Sequence, residues 1–281
     1  MNRSYKVLPV YSGDVSGAAS ALYELGGMMV IHDPSGCNST YNTHDEVRWN
    51  EMESLIFISG LTDRDAITGN DEKFIEDIVA ASSEFSPAFI AIANSPIPYI
   101  NGTDFNYIAK EVMKRSGIKT FAIATNAFHD YTVGASNAFK TALQYLTIPK
   151  KVDDEKIRIN ILGTTPLDFT TRDSIKSLKD ILAKEGFVIN SNLGFESSLR
   201  EVLNAANAHV NVVVSSCGKK AAEFMYETYG IPYVVGCPIG KYGLKVNENI
   251  RKCFETKENI IFDDNNIIFD NNNIVSNDNK K

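Results

Sequence analysis

The chain has 281 residues, 43% of them apolar and 22% charged, with a net charge of −7 at neutral pH. That length is enough to bury a full core and to form two domains. The acidic balance leaves no basic surplus to neutralise phosphates, which argues against nucleic-acid binding. Four cysteines, at 37, 217, 237 and 253, form no C-x-x-C pair, so neither a disulfide framework nor a zinc knuckle is expected.

Residues 5–10 read as a short extended start without the apolar stretch of a signal peptide. No apolar run approaches the length of a membrane span, and a cytoplasmic protein is expected. Ser16 to Leu25 is a predicted helix with Ala18, Ala19, Leu22 and Leu25 on one face, ended by Gly26-Gly27. Met28 to Ile31 is a short buried strand. It runs into His32-Asp33-Pro34-Ser35-Gly36-Cys37-Asn38, a tight turn that the polar stretch Asn38 to Trp49 follows as a predicted helix. A cysteine near a helix N-terminus is placed where backbone N–H groups favour its thiolate, a nucleophile or a metal ligand. A buried free thiol at a turn is the competing reading.

Leu55 to Ile58 is the next strand, and Asn70 to Ser83 an amphipathic helix through Phe74, Ile75, Ile78 and Val79. The strand Ala88 to Ala93 enters a Pro-rich loop, Asn94 to Ile100, expected to continue neither regular element. Helix Asp104 to Ser116, strand Thr120 to Ala124 and helix Gly134 to Leu146 complete a first α/β unit over residues 1–150. Strands alternating with helices predict a parallel sheet covered on both faces. Functional loops of such sheets lie at the C-terminal ends of strands, where Cys37 and Ser95 both fall.

Pro149 to Asp154 reads as a linker. A second, smaller unit over 151–253 has strands at Lys156 to Leu162, Phe187 to Asn190, Val210 to Val214 and Ile231 to Val235. Helices are predicted at Ser174 to Glu185, Ser197 to Ala208 and Gly218 to Tyr229. From Glu255 the composition turns to Asn and Asp, and Asn259-Ile260-Ile261-Phe262-Asp263 recurs as Asn266 to Asp270. A short hairpin is possible there, but a weakly ordered tail over 254–281 is the expectation.

The order of these motifs resembles the nitrogenase component 1 family. Asp33-Pro34-Ser35-Gly36-Cys37 is similar to its Gly-Pro-x-Gly-Cys turn. Glu53 to Gly60 is similar to its strand-Gly-helix segment. Ser95-Pro96-Ile97-Pro98-Tyr99-Ile100-Asn101-Gly102-Thr103-Asp104 is similar to Cys-Pro-x-x-x-Ile-Gly-Asp-Asp, and Tyr229-Gly230-Ile231-Pro232-Tyr233 with Pro238-Ile239-Gly240 to the closing motif of the second family domain. The resemblance spans residues 5–253 and implies two Rossmann-like three-layer α/β domains with mostly parallel sheets.

It further implies an iron–sulfur oxidoreductase subunit, with Cys37 as metal ligand and Ser95 in the place of a second cluster cysteine. A [4Fe–4S] cluster takes four thiolates as a rule, so a cluster here is shared with a partner chain. That partner is a second copy or a paralogous nitrogenase-like subunit. His32 and Asp33 are the nearest nitrogen and oxygen donors. Their competing roles are a hydrogen-bonded turn residue and a turn cap, as Asp104 is a helix cap, with His44 and His129 at surface or helix-start positions. Cys217 reaches the family's cofactor-cysteine position only with a local shift in alignment.

The sequence has no G-x-x-x-x-G-K-[ST] and no G-x-G-x-x-G after a strand, so ATP and NAD are not expected. Electrons are implied to come from a separate ATP-dependent iron–sulfur reductase. Family members continue into a third α/β domain, where this chain passes into its Asn-rich tail. The alternative is a binding, scaffold or sensor protein that keeps the fold without the redox centre.

Overall fold

The apolar runs become two parallel sheets that share one layer of helices. A computed structural model describes residues 12–37, 46–149 and 156–261, with the backbone of short strands at 268–270 and 273–275. The expected extended start at 5–10, most of the helix after Cys37 and most of the linker lie outside the described residues.

Helix α1 (Asp14–Leu22) precedes β1 (Met28–His32). Then come β2 (Leu55–Ile58), α2 (Asp63–Thr68), α3 (Asp71–Phe85), β3 (Ile90–Asn94), α4 (Pro96–Asn101), α5 (Phe105–Ser116), β4 (Thr120–Ile123) and α6 (Tyr131–Leu146). The second run is β5 (Arg158–Thr164), α7 (Pro166–Phe169), α8 (Arg172–Lys184), β6 (Val188–Gly194), α9 (Leu199–Leu203), β7 (Val210–Val213), α10 (Lys219–Tyr229), β8 (Tyr233–Val235), α11 (Gly243–Thr256) and β9 (Ile260–Ile261). The strand orders are β2-β1-β3-β4 and β6-β5-β7-β8-β9, with every pairing parallel.

Alternation along each strand assigns the two faces. Met28 and Val30 pack with Phe74, Ile78, Ile108 and Val112 of α3 and α5. Ile159, Ile161, Val210 and Val212 pack with Leu178, Leu182, Val246 and Ile250 of α8 and α11. The opposite faces meet in one cluster. Met29, Ile31, Ala91 and Phe121 of the first sheet and Leu162, Leu193 and Val213 of the second join one apolar cluster with α1, α6 and α10. The order of layers is helices, sheet, helices, sheet, helices.

The central layer is tight because two glycines remove the side chains at its crossing. An ideal Cβ on Gly134 would lie 1.7 Å from the carbonyl oxygen of Asp14, and one on Gly17 2.0 Å from that of Tyr131. Neither neighbour is a flexible side chain, so α1 and α6 would have to separate. Gly134→Ala is expected to destabilise the fold by about 3 kcal/mol, read as a lower urea midpoint at unchanged slope.

Several elements depart from the sequence reading. The Pro-rich loop contains α4, because Pro96 occupies the first helical position, where its missing N–H costs nothing. Helix Ser197 to Ala208 is interrupted. Only Leu199–Leu203 is α-helical, and Ala205–Asn207 tightens to a 3-10 turn. The buried Asn160 amide takes the Ala205 carbonyl (2.8 Å) and Asn211 Oδ1 (2.8 Å). Its own oxygen accepts from Asn190 Nδ2 and Ser191 Oγ, each at 2.8 Å. Ile260–Ile261 forms the edge of the second sheet beside Val234–Val235. Helix α11 leads into it, burying Val246, Ile250 and Cys253. Ile268–Asp270 pairs antiparallel with Asn273–Val275, so the two repeats do not pair with each other as a hairpin: the first supplies the sheet edge and the second a strand of a separate hairpin. No helix among the described residues is long and apolar enough to cross a membrane.

Candidate functional site

In the first sheet β1 is followed by β2 on one side and, through β2, by β3 on the other. The crevice between the C-terminal ends of β1 and β3 is therefore the topological switch point, where open parallel sheets bind ligands. Cys37 leaves one side of it and Ser95 the other. Sequence reasoning chose both residues, and the topology places their loops on neighbouring strands.

Cys37 is exposed and closes the turn Ser35–Cys37, its N–H donating to the Pro34 carbonyl at 3.1 Å. Residues 38–45 lie outside the described residues, and 46–50 form turns. The described part of the expected helix is thus not helical.

Ser95 is fully buried. Its hydroxyl lies 2.7 Å from the His32 carbonyl and 2.8 Å from Asp33 Oδ1, two acceptors for one proton. Asp33 is itself 2% exposed. On its other side, Ser59 at the end of β2 accepts the Asp33 N–H (3.1 Å) and lies 3.3 Å from the Asp33 carbonyl. The Leu61 N–H donates to the same carbonyl at 3.0 Å.

His32 is not a turn residue but the buried last residue of β1, paired with Asn94. It stacks on Phe74 with centroids 3.9 Å apart, and its Nδ1 lies 2.8 Å from Ser59 Oγ. Burial is the main cause that brings its pKa down to about 4, with Asp65 pulling upward and Lys73 downward. The imidazole is neutral at physiological pH. Next to Ser95, the side-chain oxygen of Asn94 is buried without a hydrogen-bond partner. Beyond it the rim is apolar. Tyr99 and Ile100 on α4 and Phe128 after β4 are exposed, and Tyr99 meets Phe128 edge-on at 6.0 Å.

The other candidates separate from this crevice. Asp104 caps α5 by accepting the Tyr107 N–H at 3.0 Å, as its competing role has it. His44 lies outside the described residues. His129 is exposed, its Nδ1 3.0 Å from Asn126 Oδ1 and 3.6 Å from Asp14 Oδ2. Cys217 belongs to the second sheet's switch point and is fully buried. Its Sγ lies 3.5 Å from Asp168 Oδ2, which also accepts from Thr165 Oγ1 at 2.9 Å, while Tyr131 donates to Oδ1 of the same carboxylate. Burial first, then the Asp168 charge, pushes the Cys217 thiol far above its ordinary range. Burial likewise pushes Cys237 up to about 11 and Cys253 up to about 12. Native protein treated with a disulfide reagent at pH 8 is expected to release one rapid thiol equivalent, from Cys37, and the remainder only after denaturation.

Sequence reasoning missed the ion cluster that holds Glu46 and Arg48 against the residues around the end of α1. Arg48, fully buried, donates from Nε to Glu46 (2.7 Å), from one terminal nitrogen to Glu24 (3.1 Å) and from the other to the Ser20 carbonyl (2.7 Å). Its guanidinium sits over the Tyr23 ring at 4.6 Å and near the Phe195 ring at 5.6 Å. Glu24 also accepts the Ser197 N–H at 3.0 Å, tying α1 to the loop after β6. A polar run without periodicity holds no signal for such a burial. Among the described residues, no group of three or more His, Cys, Asp or Glu side chains could hold a metal ion.

A family model described as nitrogenase component 1 type oxidoreductase matches residues 14–261. The chain is 26% identical over 223 residues to the nitrogenase iron-molybdenum cofactor biosynthesis protein NifE of Clostridium pasteurianum, covering 78% of this chain and 47% of that protein. It is 25% identical over 246 residues to the nitrogenase molybdenum-iron protein alpha chain of the same organism, covering 82% and 44%. Against one of the subunits of the light-independent protochlorophyllide reductase of Nostoc punctiforme it is 22% identical over 221 residues, covering 75% and 43%. Among solved structures, nitrogenase Cp1 at pH 6.5 superposes with a TM-score of 0.70 at 20% identity, covering 91% of this chain and 51% of that one, a likeness of fold. The chain spans about half the length of these relatives.

Proposed function

Because the chain belongs to the nitrogenase component 1 type oxidoreductases, we propose that it is a subunit of a nitrogenase-like oxidoreductase assembly in which Cys37 contributes one thiolate to an iron–sulfur cluster completed by another chain. One observation carries this reading: the Cys37 thiol is exposed at the switch point of the first sheet. The donor set fits a share of a cluster and not a whole one. A thiolate is the donor such clusters take, and three further ligands do not converge near it among the described residues. The cluster, when bound, relays electrons. This chain's part is to hold its root rigid, through Asp33 and the two serines, and to offer an apolar rim of Tyr99, Ile100 and Phe128 for contact with the second chain. That chain is a second copy or a paralogous subunit. We infer that the electrons come from a separate ATP-dependent reductase, as the family resemblance implies, and that the assembly works in the cytoplasm. The substrates implied by the relatives' names differ from one another, and none is assigned.

The test is anaerobic purification with and without the products of neighbouring genes, followed by iron and sulfide analysis and electron paramagnetic resonance. Iron and sulfide that disappear in Cys37→Ser support the reading. Iron-free protein under both conditions, from cells that load a control cluster protein, speaks against it. The second reading, a scaffold without a redox centre, draws on the inward turn of the Ser95 hydroxyl. It expects a colourless protein whose associations survive Cys37→Ser.

A further inference from the structure

We propose that Ser95 is a positioning residue for the Cys37 turn and not a ligand to the group that Cys37 holds. The proposal rests on the reading of Cys37 above, and it begins from the local chemistry of α4. A serine at a helix N-cap turns its oxygen onto the N–H of the second or third helical residue as a rule. Here the third is Pro98, which has no N–H, and Ser95 makes no such bond. The hydroxyl is released from capping and points the other way, into the protein. There the His32 carbonyl at 2.7 Å and the Asp33 carboxylate at 2.8 Å accept from it. With Ser95 fully buried and Asp33 2% exposed, reaching an ion beside the exposed Cys37 would require breaking this contact and leaving a buried carboxylate short of a donor, a costly exchange.

Ser59 does the same from the opposite strand. Its oxygen accepts the Asp33 N–H at 3.1 Å. The last residue of the β1 extension is thus pinned between β2 and β3, four residues before Cys37. Both partners stand at positions where these motifs depart from the family pattern. Asp33 stands for the Gly of Gly-Pro-x-Gly-Cys and Ser95 for the Cys of Cys-Pro. The departures bond to each other, so a thiolate position and a small-residue position are jointly replaced by a hydrogen-bonded clamp.

Hydrogen exchange of the full-length, metal-free chain tests this, with iron content of the anaerobically loaded protein as a second readout. Ser95→Ala is expected to speed exchange of the Cys37 and Leu61 amides about ten-fold, while iron bound per chain equals that of the unaltered protein. Ser95→Thr, which keeps the hydroxyl, is expected to restore slow exchange. Should Ser95→Ala fail to fold, Ser59→Ala, at a half-buried site, is expected to loosen the same two amides. Three results overturn the proposal: exchange unchanged by loss of the hydroxyl, Ala and Thr loosening the turn alike, or iron lost in Ser95→Ala as fully as in Cys37→Ser. If the unaltered protein holds no iron, the cluster reading fails, and the exchange data still decide the role of Ser95.

Discussion

Arg48→Ala is expected to cost about 3–5 kcal/mol of folding stability, the range for removing one partner of a buried ion cluster. The loss is large because the arginine has no surface to release and its partners cannot follow it into water. Arg48 is fully buried and Glu46 is 4% exposed, and Arg48 meets Glu46, Glu24 and the Ser20 carbonyl at once. Burial alone would raise the Glu46 pKa, but the hydrogen bonds and charge of Arg48 outweigh it and hold the carboxyl below the usual range. In the unaltered chain Glu46 therefore contributes stability that is present above the ordinary carboxylate pKa and is lost as pH falls through the lowered one. Without Arg48 the sign reverses, since burial then favours the protonated acid. The deficit is expected to be greatest near pH 8 and to shrink toward pH 5. Urea unfolding of both proteins across that interval checks it, and a deficit independent of pH contradicts it.

His32 has the second large effect, in a different pH window. Its folded pKa of about 4 lies below the ordinary value of 6.5, so the unfolded chain binds the proton more readily. The stability it contributes is complete above pH 6.5 and is lost as pH falls through 4. A shift of that size corresponds to about 3 kcal/mol. Imidazole resonances of His32 should keep their neutral positions down to pH 5. His32→Gln, which cannot charge, should flatten unfolding free energy between pH 6.5 and 4. A His32 titration near 6.5 would falsify this account.

The sheets were legible because strands buried on both faces of a parallel sheet read as unbroken apolar runs. Met28 to Ile31, Leu55 to Ile58 and Val210 to Val214 are such runs, and their observed strands match to within a residue or so. The placing of Cys37 and Ser95 at strand ends followed from the rule that sites collect there, while the pairing order that makes their strands neighbours was not read from the sequence. Polar burial was not legible. Glu46 and Arg48 sit in a stretch whose composition suits a solvated helix, and their partners Ser20, Glu24 and Phe195 are remote in sequence. Asn190, Ser191 and Asn192 extend β6 beyond its apolar start because Asn160, Thr164 and Phe195 take their polar groups. Helix α11 was overlooked because few of its 14 residues, Val246, Ile250, Cys253 and Phe254, carry the apolar face. The direction of the Ser95 hydroxyl follows from its buried partners, the His32 carbonyl and Asp33, which are remote in sequence.

The middle layer of helices has a mechanical consequence. Two sheets that each rested on private helices could rock against one another and open a cleft between them. Here α1 and α6 lie in the layer between both sheets, and at their crossing backbone touches backbone through Gly17 and Gly134. Such packing leaves no bearing surface on which to slide, so the two halves are expected to move together. Motion is then expected in the short spans at strand ends, the places where Cys37, Tyr99 and Phe128 are displayed.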